Sequence, residues 1–209
     1  IDPQLMTGLP PRITAGTGMD ALTHAIECYT CAYAQPWPDA VALWAIETIG
    51  QWLRIAYAQG HNEEARYKMA MASMLAGMSY GTESAGAVHA MSQTAGGVYD
   101  LPHGELTAAL LAPVMSFNYL GEPHKYARIA QAMGENTWGM TVWEAAKAAV
   151  EAVARLTKDL GILTLREMGI PEKDIPMLAR LACNDPQTIG NPRDLDAAGY
   201  ESIYRSCFG

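Results

Sequence analysis

In the stretch GMDALTHAIECY, residues 18 to 29, an aspartate and a histidine stand four positions apart among apolar neighbours, at Asp20 and His24. Positions four apart share one face of an α-helix, with Cβ atoms roughly 5–6 Å apart, so the two side chains can hold one guest. A carboxylate among apolar residues is costly to desolvate unless a cation or a set of donors compensates it. Two more of the five histidines keep unusual company: His89 in the small-residue segment ESAGAVHAMSQTAGG, and His103 in the turn DLPHGE. One continuous helix cannot join them, because Gly96, Gly97 and Pro102 interrupt it, and a turn there would return His103 toward His89. The expected site combines the Asp20/His24 pair of one helix, His89 from a second helix and His103 from a loop. Three neutral imidazoles and one carboxylate suit Fe²⁺, Zn²⁺ or Mn²⁺ and are poor for Ca²⁺ and Mg²⁺. With one further coordination position open, such a centre acts as a Lewis acid on an alcohol or carbonyl oxygen. His61 and His124 read as solvated helix ends and are excluded.

The elements that must position these groups are helical almost throughout, with no run of β-branched alternation to mark a sheet. After a loop, TGLPPRITAGTG, a first helix is expected from about Gly18 to Ala34, ending before QPWPD. A second runs to Gly60, and a third enters through Asn62 with Glu63 and Glu64 in its first turn, where the helix dipole favours anions. A fourth covers about Glu83 to Gly96, after which ELTAALLAPVMSFNYL resumes a helix that Pro113 must kink or interrupt. EPHKYARIAQAMG, TVWEAAKAAVEAVARLTKDLG, PEKDIPMLARLACND and the closing NPRDLDAAGYESIYRSCF supply the remainder, with Pro171 suited to a first helical turn. Met69, Met71, Met74 and Met78 read as a core-packing face. No repeat, low-complexity tract or long linker divides residues 1–209, so the expectation is a single all-α domain.

Composition narrows the function classes. The chain has 209 residues, half of them apolar, and 14 Lys and Arg against 22 Asp and Glu for a formal charge of −8. With no basic run to follow a phosphate backbone, nucleic acid and anionic membranes are not expected partners. No apolar stretch approaches a spanning helix and the first residues lack signal-peptide character, so a soluble, cytoplasmic protein is expected, with a homo-oligomer as one admissible assembly. Cys28 and Cys31 form a lone C-x-x-C within the helical pattern, read as ordinary thiols rather than a redox or zinc pair. The chain starts at Ile1 without a methionine, which points to a segment removed upstream.

TGMDALTHAIE, AVHAMSQTAGG, LPHGELTAALLAPVMSFN and the closing NPRD together resemble the C-terminal half of the iron-containing alcohol dehydrogenase family. The resemblance implies an all-α multi-helix bundle of the dehydroquinate synthase-like, iron-containing alcohol dehydrogenase C-terminal type. It implies Fe²⁺, with Zn²⁺ as the alternative, held by Asp20, His24, His89 and His103, the four residues already chosen from their chemistry. It also implies that an N-terminal α/β domain binding NAD(P) is a missing partner, since nothing here offers a strand, a glycine loop and a helix in that order. In the full-length enzyme, small alcohols would be interconverted with aldehydes or ketones, whereas this chain alone would not reduce an aldehyde with NAD(P)H. His89 and His103 would stand at the catalytic centre, with Gln93 where a second histidine often occurs. An amide there hydrogen-bonds substrate but cannot act as a general acid. Tyr80 and Gln187 fall where relatives line the substrate pocket, whereas Glu83 stands where many relatives have a small or apolar residue and reads as a substrate contact or a support for the metal ligands, or equally well as a first-turn residue favoured by the helix dipole. Two rival classes remain: a hydrolase or lyase using metal-bound water, and a non-catalytic helical fragment.

Overall fold

The computed structural model describes residues 1–80 and 85–208, and the candidate Glu83 lies outside them. The described residues form nine α-helices and short 3-10 turns, with no strand among them: α1 (Pro11–Thr30), α2 (Pro36–Ala58), α3 (Glu63–Tyr80), α4 (Ala87–Tyr99), α5 (His103–Asn118), α6 (Pro123–Ala132), α7 (Val142–Asp159), α8 (Ile175–Cys183) and α9 (Ala197–Ser206). Among the described residues no helix is long and apolar enough to cross a membrane.

Helix α1 is the central element, packing on α2, α3 and α5 and burying residues around most of its circumference. It begins seven residues earlier than its expected start, so TAGTG is helical rather than loop. Its glycines mislead a propensity reading because they serve close packing. A Cβ on Gly18 would lie 2.3 Å from Leu53 Cδ1 of α2, and one on Gly104 of α5 would lie 2.7 Å from the Gly16 backbone. The conformational cost of glycine in a helix, about 1 kcal/mol, is outweighed by the backbone approach it permits.

Asn62 caps α3 as expected, its Oδ1 accepting from the Ala65 N–H at 3.0 Å. The methionine face is corrected in part: Met69 is buried, but Met74 and Met78 are exposed. The buried face of α3 is instead made of small residues, Ala65, Ala72, Ala76 and Ser79, together with Arg66. Arg66 is covered by neutral acceptors, the carbonyls of Gly60 and Leu9 and the Thr14 hydroxyl. Helix α5 runs without a break through Pro113, because Leu110, Leu111, Val114 and Met115 on either side of it are buried and hold it in place. Pro171 precedes a 3-10 turn, and it is Pro176 that occupies the first turn of α8. Helix α7 opens with a capping box between Thr141 and Glu144.

Candidate metal centre

Three elements meet at the site. Helix α1 presents Asp20 and His24 on one face, α4 carries His89 in its first turn, and α5 begins at His103. Between α4 and α5 the chain reverses at Asp100, whose left-handed backbone (φ 53°, ψ 41°) ends α4. Leu101 and an extended Pro102 follow, and Pro102 is the N-cap of α5. His103 is therefore the first residue of a helix and not part of a loop, because the Pro102 carbonyl accepts from the Leu106 N–H at 3.2 Å and closes the first turn over it.

Asp20 Oδ1 is the meeting point. His103 Nε2 lies 3.3 Å from it, His89 Nε2 4.0 Å, and the Thr107 hydroxyl donates to it at 3.2 Å. One donor atom each from Asp20, His89 and His103 falls within 4.8 Å of the others, whereas two ligands at ~2.0–2.2 Å from one ion stand roughly 3–4 Å apart. A small contraction closes the set. His24 flanks it, with its ring centroid 4.3 Å from that of His89 and its Nδ1 3.6 Å from Asp20 Oδ2.

His24 and His89 each have one nitrogen already committed. His24 Nδ1 is 2.9 Å from the Asp20 carbonyl oxygen, which can only accept, so the ring proton sits on Nδ1 and Nε2 keeps its lone pair. His89 Nδ1 is 2.6 Å from Glu27 Oε2. His89 Nε2 is a buried nitrogen without a hydrogen-bond partner among the described residues. An orphaned buried acceptor of this kind costs free energy comparable to a lost hydrogen bond, and a cation coordinated there removes that cost.

The electrostatics follow from the crowding. Burial pushes the Asp20 carboxyl up, but the His103 hydrogen bond and the surrounding His24, His103 and His89 rings outweigh it and hold Asp20 below the usual carboxylate range. Burial and the neighbouring His89 pull His24 below its ordinary value despite the Asp20 contacts. For His89 burial also pulls downward, yet the hydrogen bond and charge of Glu27, with Asp20 beyond it, lift the ring above its ordinary value. The side chain of His89 is almost fully buried, those of Asp20 and His24 are about a quarter exposed and that of His103 is 43% exposed, so the cluster runs from the interior out to the surface.

The Fe-containing alcohol dehydrogenase C-terminal family model matches residues 14–208. The chain belongs to the Fe-containing alcohol dehydrogenase family. It is 54% identical over 208 residues to the choline dehydrogenase of Bacillus subtilis (strain 168), covering 100% of this chain and 52% of that protein. It is 46% identical to the 1,3-propanediol dehydrogenase of Citrobacter freundii, covering 99% and 54%. Among solved structures, a 1,3-propanediol oxidoreductase superposes with a TM-score of 0.96 at 45% identity, covering 99% of this chain and 55% of the other, and an alcohol dehydrogenase from Oenococcus oeni gives 0.96 at 38%, covering 99% and 54%. The chain spans about half the length of the curated relatives it matches.

The remaining candidates divide. Tyr80 and Gln187 meet: Gln187 Nε2 donates to the Tyr80 hydroxyl at 3.0 Å, while its Oε1 accepts from the Ala85 N–H at 3.0 Å. The Tyr80 ring stands edge-on to His24 at 5.9 Å. Gln93 lies one turn beyond His89 and is exposed. His61 and His124 are exposed and outside the cluster. Glu27 and Thr107 did not emerge from the sequence, although Glu27 follows Asp20 by seven residues, two turns along the same helical face.

Proposed function

We propose that Asp20, His24, His89 and His103 hold one divalent transition-metal ion, Fe²⁺ or alternatively Zn²⁺, and that residues 1–209 act as the single metal-binding domain of an NAD(P)-dependent alcohol dehydrogenase. The observation that carries this reading is the buried His89 Nε2, without a hydrogen-bond partner among the described residues, in a cluster with Asp20 and His103. When bound, such an ion supplies Lewis acidity toward an alcohol or carbonyl oxygen. His89 lies at the buried end of the cluster, and the partly exposed His103 marks the side from which substrate enters. Tyr80, held by Gln187 beside His24, offers its hydroxyl to the polar end of a small alcohol or aldehyde, and Gln187 lines the pocket by fixing that hydroxyl. Gln93 borders the same face through α4, where its amide orients substrate without exchanging a proton. The hydride acceptor, NAD(P), belongs to the nucleotide-binding half that the family resemblance implies.

Anaerobic reconstitution followed by elemental analysis tests the metal part, with about one ion per chain expected. In a version joined to the nucleotide-binding half, His103→Ala removes both metal and NAD(P)H-dependent reduction of small aldehydes, and retention of either counts against the assignment. Turnover of an ester or hydroxy acid without nucleotide would instead favour the hydrolase or lyase class.

Proton competition gives a second expected result. Coordination requires neutral imidazoles, and His89 keeps its second proton to higher pH than an ordinary histidine, whose value is about 6.5. Apparent Zn²⁺ affinity should therefore still be climbing as pH rises past that value and level off only once His89 is neutral. His24, shifted the other way, loses its second proton at lower pH than His89 does. A chelator-competition series across pH checks this, and an affinity independent of pH would contradict it.

A further inference from the structure

The carboxylate of Glu27 makes two contacts from a side chain that is only 6% exposed. Its Oε1 accepts from the Val88 N–H at 2.7 Å, and its Oε2 lies 2.6 Å from His89 Nδ1. Val88 is in the first turn of α4, where backbone N–H groups have no partner within the helix, and the N-cap residue Gly86 has no side chain to supply one. Asn191 Oδ1 accepts from the preceding Ala87 N–H at 3.4 Å. Helix α4 is thus capped from outside by Asn191 and by a residue of α1, and one of those caps also grips the ring beside it.

Gly86 shows how tightly this carboxylate is seated. A Cβ there would lie 2.8 Å from Glu27 Oε1 and 3.2 Å from its Cδ. The Gly86 backbone is extended (φ −150°), a region open to any residue, so the requirement for glycine is one of space.

We propose that Glu27 is a positioning residue that holds the His89 proton on Nδ1 and turns the Nε2 lone pair toward Asp20 and His103, and that Gly86 makes room for it. The consequence for metal affinity rests on the metal reading above, while the ring geometry does not. Replacement by glutamine exposes the logic, because two donors converge on Glu27 and an amide has a single acceptor oxygen. If that oxygen faces Val88, the NH₂ group faces His89 Nδ1, which must then accept, and the ring proton moves to Nε2. If it faces His89, the NH₂ group opposes the Val88 N–H. The first arrangement places a proton where the ion should bind, and the second uncaps α4.

Two measurements test the proposal. In the metal-free chain, ¹⁵N imidazole NMR at alkaline pH should find neutral His89 protonated at Nδ1, and Glu27→Gln should shift that proton toward Nε2. A merely structural cap would lower stability on replacement and leave the proton in place. Zn²⁺ affinity by chelator competition should fall about 10–100-fold in both Glu27→Gln and Gly86→Ala, the usual range for groups that orient a ligand. Gly86→Ala displaces the carboxylate without altering either partner, and the NMR measurement on the unaltered chain stands even where a variant fails to fold. An Nε2-protonated His89 in the unaltered chain, or Zn²⁺ bound as tightly by both variants, overturns the proposal. A chain that takes up no Zn²⁺ at all overturns the metal reading, while the NMR result still decides the role of Glu27.

Discussion

His89→Ala should remove the metal and also lower the melting temperature. The two losses have separate causes. His89 is the only candidate ligand on α4 and the most buried of the four. Since groups that only orient a ligand cost about 10–100-fold in metal affinity, loss of the ligand itself should cost more than about 100-fold. The stability loss arises on the other side of the ring, where alanine leaves Glu27 Oε2 without the donor it has at 2.6 Å. The carboxylate keeps the Val88 N–H but cannot reach bulk water. Breaking a buried pair by removing one partner costs on the order of 3 kcal/mol, which for a chain of this size corresponds to a fall of roughly 6–12 °C in Tm. Calorimetry on metal-free protein isolates this second effect from any stabilisation by bound ion. His61→Ala and His124→Ala, both at exposed positions, are the controls and should leave affinity and Tm unchanged. Stoichiometric metal in His89→Ala would remove the basis of the site.

The parts of this site that could be read in the sequence are those governed by local geometry. Asp20 and His24 are four apart on a helix, so their shared face needs no tertiary information. The return of His103 toward His89 follows from a forced break, although the turn itself is made by Asp100 in a left-handed conformation and His103 opens the next helix. What escaped depends on neighbours distant in the chain. Glu27 looks like an ordinary helical glutamate until α4 is laid beside α1 and places the Val88 N–H and His89 against it. The pairing of Tyr80 with Gln187 spans 107 residues, and no local pattern foretells it. The start of α1 is hidden in the sequence for a related reason. Its glycines are poor helix formers taken alone, and their value appears only when α2 and α5 close on them. The all-helical class was the most legible feature, because the 3.6-residue apolar period recurs in nearly every segment.

That close approach also sets the dimensions of the site. Helices α1 and α5 cross with Gly104 against Gly16, one residue after His103 and four before Asp20. A Cβ on Gly104 would sit 2.7 Å from both the carbonyl carbon and oxygen of Gly16, and backbone cannot move aside as a flexible side chain can. The reciprocal Cβ, on Gly16, would lie 3.5 Å from the Gly104 carbonyl carbon, an ordinary contact. The two substitutions should therefore differ sharply although they concern the same crossing. Gly104→Ala must push α5 away from α1, at about 1–3 kcal/mol for overpacking, and carry the His103 ring away from Asp20, which it now approaches at 3.3 Å. Zn²⁺ affinity should fall roughly 10–100-fold together with stability. Gly16→Ala replaces a helical glycine without a clash, so the gain in helix propensity should leave stability unchanged or raised by up to about 1 kcal/mol, with affinity intact. Urea unfolding and chelator competition on the pair settle the matter. If Gly104→Ala retained full affinity, the spacing of α1 and α5 would not be what fixes the distance between Asp20 and His103.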